Sequence, residues 1–218
     1  CHAPAEYPCG YFHTYDKFQV AGSNDTPRKV HIFLPRDYEK SANRYPVIYM
    51  NDGDKAFFLA DSDNGKTWDV PRVICDLYDQ GTIRDVIVVA IFPIDRNREY
   101  THEQVMDWAY GGLDEYAHYL ARFVKPWIDA NYRTQPDAPN TMVLGSSHGG
   151  LAAFYTAALY RNIIGNTACL SSSFWVGLDS KTLKVKPWGA FYKLRNSSLI
   201  KKVGPCLSGS DHPKIYID

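Results

Sequence analysis

The chain has 218 residues, 45% hydrophobic and 22% charged, and its 24 Lys plus Arg balance 24 Asp plus Glu for a formal net charge of zero. That length and balance fit one globular domain with a sizeable core. They argue against a nucleic-acid partner, which would demand a basic face, and no apolar run is long enough to cross a bilayer as a helix.

The chain opens on Cys1-His2-Ala3-Pro4 and carries no signal peptide, so its start reads as a mature or trimmed N-terminus. A mature bacterial lipoprotein also begins with Cys. The five cysteines are Cys1, Cys9, Cys75, Cys169 and Cys206. Their spacing matches no zinc pattern, so neither a metal nor a cofactor is expected. Cys1 and Cys9 flank a short segment and are open to pairing with each other or with the rest; the odd count leaves one thiol free or bound outside the chain. Asn24-Asp25-Thr26 and Asn196-Ser197-Ser198 are glycosylation sequons. Together these features lean toward a secreted or periplasmic, disulfide-bonded glycoprotein.

Residues 1–27 read as an N-terminal extension and first strand, and residues 28–218 as an α/β domain. Arg28 to Pro35 alternates polar and apolar, as a half-buried strand does. Pro46 to Met50 is a short apolar run of the central-strand kind, and Asp85 to Phe92 is the strongest buried-strand signal. Residues 140–144 and 214–217 supply two more strands. Between them, Val70 to Tyr78 is helical, and Leu113, Tyr116, Ala117, Leu120, Phe123, Val124 and Trp127 recur at helical spacing, with Pro126 expected to kink or restart the helix. A last amphipathic helix is expected from Tyr192 to Lys202. Strands alternating with helices imply a mostly parallel sheet with helices on both faces, and in such sheets chemistry gathers at the carboxyl ends of the strands. The acidic stretch Asp61-Ser62-Asp63-Asn64-Gly65 breaks the spacing of a calcium loop and reads as a solvated turn. Aromatic residues reach 14%, which fits an aromatic core first and the handling of aromatic or sugar-like groups second.

The most informative stretch is Gly145-Ser146-Ser147-His148-Gly149-Gly150. It follows the apolar run 141–144 and precedes the helix-compatible run 151–159. Strand, tight glycine-flanked turn and helix is the setting of a nucleophile elbow, and it makes Ser147 the candidate nucleophile. A serine hydroxyl needs a base to take its proton, an acid to orient that base, and amide donors aimed at the developing oxyanion. The N–H of His148 is the expected first donor; the second is expected from Gly53 or Asp54, in the loop Asn51-Asp52-Gly53-Asp54-Lys55 after the 46–50 strand. After Ser147 only His148 and His212 remain as histidines. His148 is expected to point down the helix start, and His212 to lie at the amino edge of the sheet, opposite the site.

Taken as an ordered set, several segments resemble the esterase family of α/β-hydrolases that includes feruloyl esterases, S-formylglutathione hydrolase, enterochelin-type siderophore esterases and the antigen 85 acyltransferases. The segments are Val30…Leu34-Pro35…Tyr38, Tyr45 to Gly53, Trp68, Arg96-Asn97-Arg98-Glu99-Tyr100, Val124 to Asp129, Gly145 to Leu151, and Leu170-Ser171-Ser172-Ser173-Phe174-Trp175. The siderophore-esterase-like branch is the nearest echo. The resemblance implies an α/β-hydrolase-type fold, Ser147 as nucleophile, amides near Gly53 and His148 as oxyanion donors, and Arg96, Glu99, Tyr100 and Trp175 beside the substrate pocket or packed behind it. Two departures stand out. The family usually has Met or Leu where this chain has His148. In the family, residues 214–218 form the strand before the acid loop, so the acid, the catalytic histidine and the last strand and helices are expected from a C-terminal segment or a second polypeptide. The reading is therefore a serine esterase acting on a small-molecule carboxylic ester through an acyl-enzyme, with aromatic acyl groups or catecholate siderophores slightly favoured. The alternatives are an acyltransferase on the same machinery and a non-catalytic relative that kept the elbow.

Overall fold

A computed structural model describes residues 7–103, 111–177, 197–210 and 212–218. Seven strands form one sheet in the order β1-β2-β4-β3-β5-β6-β7. They are β1 Gly10–Phe18, β2 Arg28–Pro35, β3 Val47–Met50, β4 Ile87–Ile91, β5 Thr141–Ser146, β6 Asn166–Leu170 and β7 Lys214–Ile217. The pairs β1–β2 and β2–β4 are antiparallel, and every pairing from β4 through β7 is parallel.

The helices are α1 Val70–Asp79, α2 Arg96–Glu99, α3 Leu113–Tyr119, α4 Lys125–Asn131, α5 His148–Leu159 and α6 Ser198–Leu207. One face of the sheet packs Val30, Ile32, Val47, Tyr49, Val89 and Val143 against α3, α4, α5 and α6. The other packs Phe33, Met50, Val88 and Ala90 against α1 and the 56–58 loop. Both faces being covered explains why β2 is buried along nearly its whole length rather than half-buried as its alternation implied. Each Val, Ile, Phe or Met side chain so removed from water contributes roughly 1.5–3 kcal/mol.

The helical run beginning at Leu113 continues to Asn131, and residues Leu120–Val124 form a π turn at its middle. Pro126 falls in the first turn of α4. It lacks the N–H that would bond four residues back, so the ladder widens just before it. Strand β6 carries too little pattern to be read from sequence; it is fixed by pairing with β5 from Met142↔Asn166 to Ser146↔Leu170. Of the helix expected over 192–202, residues 192–196 lie outside the described residues, and α6 runs on past Lys202 to Leu207.

Cys9 bonds Cys75, tying the entry to β1 onto α1 across a sequence separation of 66. Cys169 and Cys206 are free, and Cys1 lies outside the described residues. Asp61 is not a solvated residue. It sits against the sheet, where its carboxylate takes Lys29 Nζ at 2.5 Å and His31 Nε2 at 2.8 Å. Among the described residues no cluster of metal-binding side chains occurs, and no helix is long and apolar enough to cross a membrane.

Candidate active site

Strand β5 ends at Ser146 and α5 begins at His148, which leaves Ser147 alone on the bend, with φ 56 and ψ −120. A non-glycine residue held there costs about 1–3 kcal/mol and persists only where neighbours fix it. Three backbone bonds do so. Ser147 N donates to Leu170 O at 2.9 Å, and Ser147 O accepts from Leu151 N at 3.1 Å and from Ser173 N at 3.0 Å. The flanking glycines follow from close approach. A Cβ on Gly145 would meet Gly149 O at 2.3 Å, and one on Gly150 would meet Ser172 Oγ at 2.1 Å.

The first turn of any α-helix has N–H groups without intrahelical acceptors, so α5 presents the His148 N–H beside Ser147 with the positive end of the helix dipole behind it. The loop after β3 lies across from it. Asn51 Nδ2 donates to Gly149 O at 2.8 Å, and Asn51 Oδ1 accepts from Tyr116 Oη at 2.6 Å. Asp52 adopts a left-handed conformation, φ 55, and its N–H donates to Tyr100 Oη at 3.0 Å. Arg96 clasps the Asp52 carboxylate through Nε at 2.6 Å and Nη2 at 2.9 Å. Burial opposes the charge on Arg96, but Asp52 outweighs it and raises the guanidinium pKa. Gly53 then passes flush against β4, where a Cβ would meet the Ala90 and Ile91 backbone at 2.7 Å. Its N–H has no hydrogen-bond partner among the described residues. Asp54, the other expected donor, has a half-buried carboxyl whose pKa burial and then the neighbouring Asp52 push up.

The family motif therefore divides. Arg96 and Tyr100 brace Asp52 behind the candidate oxyanion loop. Glu99 turns away from Ser147 and pairs with the buried Arg28, at 2.9 and 3.1 Å. Beside that pair lies a cavity of about 580 Å³, with Asp25, Arg28, Tyr116 and Tyr119 among its lining residues and Ser147 not among them.

His148 corrects the expectation drawn from the sequence. Its ring does not turn down the helix; Nδ1 lies 3.0 Å from Ser173 Oγ, and Ser173 Oγ lies 3.1 Å from Ser147 Oγ. Burial, and then the nearby Arg96, hold the imidazole below its usual pKa, with Asp52 opposing. Trp175, 38% exposed, meets the His148 ring edge-on at 5.6 Å. His212 lies at the amino edge as expected, its Nδ1 3.2 Å from Pro213 O. Among the described residues no histidine touches Ser147 Oγ directly; its partner there is Ser173. Asp218 reaches the carboxyl edge, where its Oδ1 accepts from Ser171 N at 2.5 Å. Ser173 lies in the 170–175 segment that carries part of the resemblance, but the sequence assigned it no role; its position just after β6, which pairs with the elbow strand, is the available signal.

The family model described as "Putative esterase" matches residues 22–204. An uncharacterized protein, YbbA, from Bacillus subtilis is 21% identical over 166 residues, 72% of this chain and 62% of that relative. Esterase Rv1288 from Mycobacterium tuberculosis is 27% identical over 150 residues, 67% of this chain and 29% of the relative. The chain thus spans less than two thirds of the length of either. Among solved structures, an IroE-like serine hydrolase from Shewanella oneidensis superposes with a TM-score of 0.64 at 19% identity, covering 96% of this chain and 72% of that one. That likeness establishes the α/β-hydrolase-type fold.

Proposed function

The chain belongs to the esterase family, and from that premise we propose that it is a serine hydrolase of carboxylic esters acting through an acyl-enzyme on Ser147. The observation that carries the reading is the strained Ser147 backbone at the junction of β5 and α5, a conformation that lifts Oγ clear of the sheet edge. In this reading Ser147 Oγ attacks the ester carbonyl, and the oxyanion is received by the N–H groups of His148 and Gly53. Donors already fixed in place stabilise the developing charge without reorganisation, and each is worth about 3–4 kcal/mol of barrier. The Gly53 N–H, without a hydrogen-bond partner among the described residues, favours Gly53 as the second donor. Trp175, exposed beside His148, supports an aromatic acyl group stacking at the mouth of the site.

The acid and the histidine that complete such a site are proposed to come from chain outside the described residues, either a C-terminal segment or a second polypeptide. The edge strand supports this. Ile215, Tyr216 and Ile217 on β7 are 39%, 59% and 55% exposed, and an apolar edge of that kind is ordinarily covered. The test is hydrolysis of an aromatic ester, such as a feruloyl or benzoyl ester, by the purified protein and by Ser147→Ala. The expected result is turnover that Ser147→Ala removes. Turnover untouched by that substitution would refute the reading.

A further inference from the structure

We infer that Ser173 and His148 form a proton relay that gives Ser147 nucleophilic reactivity from within these residues, independently of any acid–histidine pair supplied from elsewhere. The inference rests on Ser147 being the nucleophile and deepens that reading.

The geometry is a two-step chain of hydrogen bonds. Ser147 Oγ and Ser173 Oγ are 3.1 Å apart, and Ser173 Oγ and His148 Nδ1 are 3.0 Å apart. Both distances are within hydrogen-bonding range. Ser173 has one hydroxyl proton to give and lone pairs to accept with. Only one assignment lets the chain withdraw the Ser147 proton: Ser147 donates to Ser173, Ser173 donates to His148 Nδ1, and His148 carries its proton on Nε2. Ser173 is itself 3% exposed, and its N–H is fixed to Ser147 O, so bulk water is a poor competitor for the Ser173 hydroxyl.

The imidazole is suited to be the terminus of that chain. Its neighbours lower its pKa from the ordinary imidazole value. Burial disfavours the charged ring, Arg96 reinforces that effect, and Asp52, already bonded to Arg96, opposes it only in part. The N-terminus of α5 acts in the same sense as Arg96. Trp175 covers the ring edge-on.

In the step itself, a bond forms between Ser147 Oγ and the electrophilic carbon. The Ser147 proton passes to Ser173 Oγ as the Ser173 proton passes to His148 Nδ1. The products are an oxyanion and an imidazolium. Collapse expels the alkoxide, which takes the Ser173 Oγ proton as His148 Nδ1 returns its proton to Ser173, leaving the acyl group on Ser147 Oγ and the imidazole neutral. Ser173 touches the reacting oxygen, whereas His148 acts through it. With a fluorophosphonate the same sequence forms an O–P bond, releases fluoride and leaves the proton on His148 to be lost to solvent.

The experiment follows the rate of fluorophosphonate labelling of this 218-residue chain from pH 5 to pH 9, with the adduct located by peptide mapping, in the wild type, Ser173→Ala, His148→Gln and Ser147→Ala. Thermal melts check that each variant folds. The relay predicts labelling on Ser147 that rises to a plateau with an inflection below the ordinary imidazole pKa of 6.5. Ser173→Ala and His148→Gln should each slow it about 100-fold, a typical general-base contribution, and abolish the inflection. His148→Gln keeps the backbone N–H and so separates the relay from the oxyanion donor, and it stands alone if Ser173→Ala does not fold. Labelling of Ser147 with unchanged rate and pH profile in both variants would overturn the relay and leave Ser147 as nucleophile. Absence of any Ser147 adduct in the wild type would overturn both.

Discussion

Replacing Arg96 with Gln tests how the oxyanion loop is held. Asp52 is 2% exposed at its side chain and Arg96 32%, and two short charge-assisted bonds join them. Removing the guanidinium strands a buried carboxylate against Gly149, where an added Cβ would lie 2.8 Å from Asp52 Oδ2. Breaking such a pair costs about 3–5 kcal/mol when both partners are buried. The exposed flank of Arg96 puts the expected loss near the lower end, about 3 kcal/mol, since solvent screens that side. For a protein of this size that corresponds to a fall in Tm of about 6–12 °C. Urea unfolding followed by tryptophan fluorescence measures it. Adding Asp52→Asn to Arg96→Gln removes the orphaned charge and should recover more than half of the loss. A loss under about 1 kcal/mol, or no recovery in the double variant, would show that the pair does not support the loop.

Other consequences are as direct. Gly150→Ala drives a methyl group into Ser172 Oγ, 2.1 Å from the new Cβ; destabilisation of about 1–3 kcal/mol in chemical denaturation is expected, together with slower Ser147 labelling. Reducing Cys9–Cys75, which closes a separation of 66 residues, should lower the unfolding free energy by up to about 4 kcal/mol on the loop-entropy estimate, read as a shift in urea midpoint with and without reductant. His13, His31, His102 and His148 are all held below 6.5, chiefly by burial. The fold therefore resists protonating them. Their contribution is complete above pH 6.5 and is lost as the pH falls through their lowered values, so the urea midpoint should drop between pH 7.5 and pH 5.5; a midpoint constant over that range would contradict the assignment.

Most of the fold was legible because its signals are local. The run at 46–50 and, after Asp85, the run at 85–92 are apolar, and they became the parallel core pair β3 and β4. Glycines 145, 149 and 150 announced the elbow because no side chain fits where they sit. What the sequence withheld depends on contacts far apart along the chain. β6 has weak propensity and is held by its ladder to β5. The Cys9–Cys75 bond depends on where α1 docks. The arrangement around Ser147 joins residue 148 to residue 173 and residue 52 to residue 96, and no spacing rule reads such pairs. The orientation of the His148 ring was misread for that reason: its partner lies on another loop.

The most direct test of Ser147 as the nucleophile is mass spectrometry of the protein quenched during reaction with an activated aromatic ester, followed by peptide mapping. The account predicts an acyl adduct on the peptide carrying Ser147, absent in Ser147→Ala. An adduct on another residue, or an acylated Ser147→Ala protein, would contradict it.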